Sequence, residues 1–203
     1  MAINFKELLL DFGTATEKPK PKQRPTLENI VSVVYRNTTE KSGPWIVGGC
    51  ARQVLLGEDN FNDIDVWFKD IYQFEQLKQR LSDEFGYEMY EHYVSDNAIT
   101  YHVGDFKVQL IRRAWYPSLQ AVFDSFDFTC CQLALDDNLT AYGPGEDDAR
   151  NLRLRVNHLD KNAFLSRYAK YVGYGYSMDP SEFLKIIDNM DLNYEFYGRV
   201  FVY

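Results

Sequence analysis

The stretch Trp45 to Phe68, WIVGGCARQVLLGEDNFNDIDVWF, constrains the fold more than any other part of the chain. A short apolar run, Pro44 to Val47, stops at two glycines, Gly48 and Gly49. Cys50 to Leu56 then has helical composition and ends at Gly57, and Asp63 to Phe68 reads as a strand. The predicted order is strand, glycine turn, helix, strand. Asp63 and Asp65 are two apart on that second strand, so their side chains point to one face and both carboxylates converge on one spot. Two carboxylates at one spot attract a divalent cation. Mg²⁺ prefers oxygen ligands and keeps positions open for water and substrate phosphate, which suits a nucleoside triphosphate. The paired glycines carry no side chains, so the backbone N–H groups opening the next helix can approach phosphate oxygens, and Arg52 lies one turn further on. A phosphate cradle and a metal site are thus expected side by side.

Elsewhere the periodicity alternates between helix and strand. Leu27, Ile30, Val31 and Val34 mark one face of a helix that starts after Pro25, and Phe74, Leu77, Leu81 and Phe85 mark another that Gly86 closes. Ala98 to Val103 and Phe106 to Ile111, joined across Gly104 and Asp105, predict a hairpin; Phe128 to Leu135 predicts a strand ending in the turn Asp136-Asp137-Asn138. From Arg150 onward the character is helical, with Leu159 to Tyr171 the main stretch and Pro180 bounding the next. Without a regular βαβ rhythm, these elements predict an α+β fold with a mixed sheet flanked by helices. The polar, Pro-containing run Thr14 to Arg24 separates Phe5 to Leu10 from the rest and reads as a mobile arm.

The 203 residues carry 30 Asp and Glu against 22 Lys and Arg, a formal charge of −8. That balance excludes an extensive nucleic-acid-binding surface and confines any RNA contact to a local patch. Cys50, Cys130 and Cys131 form no CxxC pair, and His92, His102 and His158 are scattered, so buried thiols are expected rather than a zinc site. No apolar run approaches the ~18 residues of a membrane span, and the charged N-terminus lacks a signal-peptide pattern, so the expected location is the cytoplasm, with no membrane partner.

GGCARQVLLG followed by DIDVWF resembles the first signature of the nucleotidyltransferase superfamily that includes DNA polymerase beta. The best match within it is the head of CCA-adding enzymes and bacterial poly(A) polymerases, with the pattern GG-x-VR-D-x-LLG and then D-x-D. Ser125 to Leu135, SFDFTCCQLAL, is similar to that branch's second motif, RRDFTxNA. Asp127, Phe128 and Thr129 carry over, while Ser125 and Phe126 stand where the motif has arginines. Tyr142 to Tyr176 resembles the passage from palm into helical neck. The resemblance implies an N-terminal arm over 1–25, a palm over 26–145 and a neck with C-terminal segment over 146–203. It also implies Mg²⁺ or Mn²⁺ on the catalytic Asp63 and Asp65, and nucleotide contacts from Gly48, Gly49, Arg52, Asp127, Arg167 and Lys170.

The departures from the pattern are specific. Gln53 replaces an acidic residue, and Gln109 stands where many relatives carry a third carboxylate, leaving Asp127 or Asp105 as substitutes. Of the base-reading EDxxR, Asp160 matches the acid but Ala163 occupies the arginine position. Roughly thirty residues follow the neck, too few for the helical body and tail that hold tRNA. The implied activity is transfer of a nucleoside monophosphate from an NTP to a hydroxyl acceptor, with pyrophosphate released. The acceptor is left open between a small molecule, a protein side chain and an RNA end. Gln53, Gln109 and Ala163 motivate the competing reading of an inactive nucleotide-binding or protein-interaction module; a small toxin-like or virus-encoded transferase is a third. Arg112, Arg113, Arg150, Arg153 and Arg155 read as surface patches, and Tyr168, Tyr171, Tyr174 and Tyr176 as neck packing.

Overall fold

Seven strands build one sheet: β1 (Trp45–Val47), β2 (Asp63–Trp67), β3 (Met89–Val94), β4 (Ala98–Val103), β5 (Phe106–Ile111), β6 (Ala134–Leu135) and β7 (Ala141–Tyr142). Their spatial order is β3-β4-β5-β2-β1-β6-β7. Only the β2–β5 pair is parallel, so the sheet is mixed as expected. The structure is a computed structural model that describes residues 24–38, 41–58 and 63–190. Of the expected arm, all but Arg24 and Pro25 lies outside the described residues, as do residues 191–203 of the neck.

Helices α1 (Leu27–Tyr35) and α3 (Ile71–Phe85) cover one face of the sheet. The apolar positions that marked them in sequence meet Ile64, Val66, Val108 and Leu110 in a single buried cluster. Local chemistry sets their ends. The Thr26 hydroxyl accepts the Asn29 N–H while the Asn29 side chain accepts the Thr26 N–H, and Asp70 caps α3 through Gln73 N–H. Gly86 stops α3 at φ +46°, a conformation that glycine adopts without strain. The Tyr35 hydroxyl donates to Leu135 O (2.5 Å) and accepts from Ile46 N (3.1 Å), which ties α1 to both β1 and β6. On the other face α4 (Leu119–Asp124) packs Val122 and Phe123 against Trp45, Val47, Trp67 and Ile111.

Three stretches depart from the expected elements. β3 was not foreseen as a strand. Its residues are nearly all exposed, so no core-facing alternation marks MYEHYV in the sequence. Phe128 to Leu135 is not one strand: Thr129–Cys131 winds into a single 3-10 turn before the two-residue β6. In a strand the neighbours Cys130 and Cys131 would point to opposite faces, whereas the turn buries both thiols in one core. The segment after Arg150 is extended rather than helical. Helix α5 (Glu146–Arg150) ends there, and the chain bridges Phe128 to Val156 and Arg153 to Ser177. Leu154 is buried on one side, while Arg153 and Arg155 reach Asp148 on the other. Helix resumes as α6 (Phe164–Gly173) and α7 (Pro180–Asp188), the latter with Pro180 in its first turn.

Candidate nucleotide cleft

Strand β2 lies at the centre of the sheet. Because Ile64 and Val66 point into the helix-covered core, Asp63 and Asp65 must emerge on the opposite face. Register sets Asp63 beside Lys107 and Asp65 beside Gln109 on β5. The neutral amide thus occupies the strand position next to the carboxylates, where the sequence resemblance led a third acid to be sought. Gly48 closes the other side. Its φ of +104° and ψ of −126° suit glycine, and a Cβ there would stand 3.3 Å from the Phe126 ring and 4.0 Å from Asp65 Oδ2. A Cβ on Gly49 would meet nothing within 4 Å, so that backbone faces open space. Helix α2 (Gly49–Leu55) follows, its first turn fixed by Arg52 N–H donating to Gly48 O at 3.0 Å.

The facing wall comes from α6. Lys170, Tyr171 and Tyr174, with Tyr176 just beyond, line a cleft of about 320 Å³ together with Gly49, Arg52, Asp63 and Asp65. Arg52 is buried, its guanidinium carbon 5.1, 5.4 and 5.6 Å from the ring centres of Tyr171, Tyr174 and Tyr176. Three ring faces around one cation hold it by their quadrupoles while its charge stays in the cleft. Burial first, and then the neighbouring Asp63 charge, push the Asp65 carboxyl up to about 7; Lys170 works in the opposite direction. Burial and the Asp65 charge push the nearby Cys50 thiol up to about 12, so it stays protonated.

Asp127 and Arg167 stand apart from this cleft. They form an ion pair with each other and line an adjoining hollow of about 210 Å³ that shares Phe126, Lys170 and Tyr171 with it. Beyond them a hollow of about 550 Å³ is bordered by Arg113, Asp160, Lys161 and Arg167. The structure therefore brings Gly49, Arg52, Asp63, Asp65 and Lys170 together with Gly48 at the rim, and sets Asp127 and Arg167 one compartment away. The basic patches are mostly paired. Arg150 meets Glu146, Arg153 meets Asp147 and Asp148, and Arg112 donates to Ser95 O, while Arg113 lies over the Trp67 ring.

Sequence reading missed Phe126 and the tyrosine wall. Tyr171, Tyr174 and Tyr176 read as neck packing, and nothing in the sequence says that Arg52 packs beneath them. Phe126 was noted only as a missing arginine; its ring instead abuts Gly48 and lies 5.4 Å from Trp67.

Asp63 and Asp65 fit a divalent cation whose remaining positions are taken by water and phosphate, since they converge closely enough for one charge to raise the other's pKa. Among the described residues no three His, Cys, Asp or Glu come together as a closed metal cage. Asp105 is paired with Arg24 at the β4–β5 turn and Asp127 with Arg167, so neither adds a third oxygen here. Among the described residues no helix is long and apolar enough to cross a membrane.

Comparison with known proteins follows the same geometry. Residues 21–152 match the model of the Gabija anti-defense 2 family. The chain belongs to that family. A curated Gabija anti-defense 2 protein from Bacillus phage SPbetaL7 is 25% identical over 179 residues, covering 85% of this chain and 42% of that protein. The chain thus spans about two fifths of the relative's length. Among solved structures it is similar to the Bacillus stearothermophilus CCA-adding enzyme in complex with CTP, with a TM-score of 0.53 and 19% identity over 80% of this chain and 42% of that one. That likeness shows a nucleotidyltransferase fold for this Gabija anti-defense 2 family member. Sequence places it with the anti-defense family rather than with the CCA-adding enzymes named from its motifs.

Proposed function

We propose that this chain is a metal-dependent nucleotidyltransferase acting in the cytoplasm, and that nucleotide transfer to an acceptor hydroxyl is its means of countering a defence system. One observation carries the reading: Asp63 and Asp65 emerge together from the central strand beside the Gly48-Gly49 turn, with the Lys170 ammonium and the caged Arg52 facing them across a cleft. Asp63 and Asp65 would hold Mg²⁺ or Mn²⁺, which when bound neutralises triphosphate charge and acidifies an acceptor hydroxyl. Lys170 and Arg52 put positive charge where the phosphates lie, and the open space beside the Gly49 backbone lets them approach. Asp127 and Arg167 hold the sugar and base end through the adjoining hollow. The acceptor oxygen forms a bond to the α-phosphorus as the bond to the bridging oxygen breaks, the hydroxyl proton is lost, and pyrophosphate leaves.

The test is titration of the wild type and the Asp63→Asn/Asp65→Asn double variant with each of the four NTPs and Mg²⁺, following binding and pyrophosphate release with pooled RNA present. Metal-dependent binding and pyrophosphate only in the wild type are expected. Gln109 beside Asp65 favours the second reading, a nucleotide-binding module that does not turn over. Binding without pyrophosphate, across RNA, protein and small-molecule acceptors, would support it.

A further inference from the structure

The sheet face that carries Asp63 and Asp65 continues past them. Register aligns Asp63 with Lys107, Lys107 with His102 and His102 with Tyr90, while Asp65 aligns with Gln109 and Gln109 with Thr100. Paired residues share a face, so one surface runs from the carboxylates across β5 and β4 to the edge strand β3, a span of about 14 Å at ~4.8 Å per strand. At its outer end Tyr90 and His102 lie stacked, ring centres 4.9 Å apart and planes 8° from parallel. His92 meets His102 edge-on at 4.5 Å. Tyr90 is 59% exposed.

The charge of this surface is unlike that of the molecule. The residues of β3, β4 and β5 that share it include no Asp or Glu, although the chain carries a formal charge of −8; its ionisable groups are Lys107, His102, His92, Tyr90 and Tyr93. The acids of this region lie elsewhere: Glu91 aligns with Tyr101 on the opposite face, and Asp105 is in the β4–β5 turn, paired with Arg24. A flat ring stack accepts another planar ring by stacking, and a lysine between the stack and the carboxylates meets a phosphate on the way.

We propose that this surface seats the acceptor, and that the acceptor is the end of a single-stranded polynucleotide. A base stacks on the Tyr90–His102 pair, the following phosphate lies at Lys107, and the terminal hydroxyl reaches Asp63 and Asp65. The inference rests on the transferase reading for the chemistry at its inner end, but the binding it describes is measurable without turnover.

The test measures anisotropy of end-labelled single-stranded octanucleotides, one RNA and one DNA of the same sequence, on the full chain at low salt. Variants are Tyr90→Ala/His102→Ala and, as a milder change at an exposed ring, Tyr90→Leu. MgATP binding is measured separately on each. Stacking of one base predicts a loss of tenfold or more in oligonucleotide affinity for the double variant, a smaller loss for Tyr90→Leu, and MgATP binding as in wild type. Lys107→Gln should weaken binding and flatten its salt dependence. Binding of RNA alone would assign the site to RNA, and binding of both would assign it to either strand chemistry. Equal affinity in wild type and double variant would overturn the proposal, as would no oligonucleotide binding by the wild type, including the case where an acidic peptide binds this face instead. MgATP binding that survives any of these leaves the transferase reading standing.

Discussion

The two walls of the cleft are made differently. The carboxylate wall is set by backbone: β2 alternates Ile64 and Val66 into the core, which leaves no other direction for Asp63 and Asp65, and Gly48 fits beside them only because it lacks a Cβ. The α6 wall is set by side chains. Lys170 and Tyr171 reach the cleft from α6 and Tyr174 from the residue that caps it, and the rings of Tyr171 and Tyr174 pack around Arg52. A wall made by strand register tolerates little change, whereas a wall of interleaved rings can lose one member and keep its shape.

That contrast is sharpest under titration. Asp65 holds its proton more tightly folded than unfolded, so its favourable contribution is fully present below about pH 4 and is lost as pH rises through about 7. Metal-free protein should be about 2–4 kcal/mol less stable at pH 9 than at pH 5 from this group alone, and Asp65→Asn should flatten the profile in chemical denaturation. Mg²⁺ should restore stability at the alkaline end. An unchanged profile in the variant would show that the carboxylate wall is not strained by its own charges.

The next largest effect is expected at the glycines. Gly48→Ala forces a side chain into φ +104° and against Phe126, and should lower stability by about 2–3 kcal/mol, whereas Gly49→Ala, with open space for its Cβ, should stay within about 0.5 kcal/mol. Similar melting temperatures for the two would break the account of the turn. On the other wall Arg52→Met keeps the bulk and removes the charge, with an expected loss of about 1–2 kcal/mol by denaturant unfolding. Tyr174→Ala, at a half-exposed ring, should cost less than about 1 kcal/mol while weakening MgATP severalfold in the same titration. A larger loss from Tyr174 than from Arg52 would invert the ranking of cage and ring.

These differences follow what the sequence could express. The strand–glycine–helix–strand unit, α1, α3 and the β4–β5 hairpin were legible because each buries one face, and burial writes its period into the residues. The convergence of Asp63 and Asp65 was legible for the same reason, since a two-residue spacing on a half-buried strand admits one geometry. β3 left no trace because an edge strand exposed on nearly every residue has no apolar alternation, and with it the Tyr90–His102 stack was invisible. The 3-10 turn at Thr129–Cys131 and the extended run after Arg150 depend on partners far along the chain, as does the Arg52 cage, whose members are more than a hundred residues from the arginine they surround. Asp127 was chosen from its motif and Arg167 together with Lys170 from their helical spacing; that Asp127 and Arg167 face one another is a tertiary fact.

One buried carboxylate bears on how the cleft can move. Asp148 accepts the Thr129 hydroxyl at 2.5 Å and pairs with Arg153 and Arg155, while Thr129 N–H donates to Arg155 O and Asn157 N–H to Asp127 O. The strip bearing Asp127 and the strip feeding α6 are laced together at several points on either side of residue 150. A jaw that swung open at that place would have to tear the lacing first, so the wall that carries α6 is tied to the strip that carries Asp127.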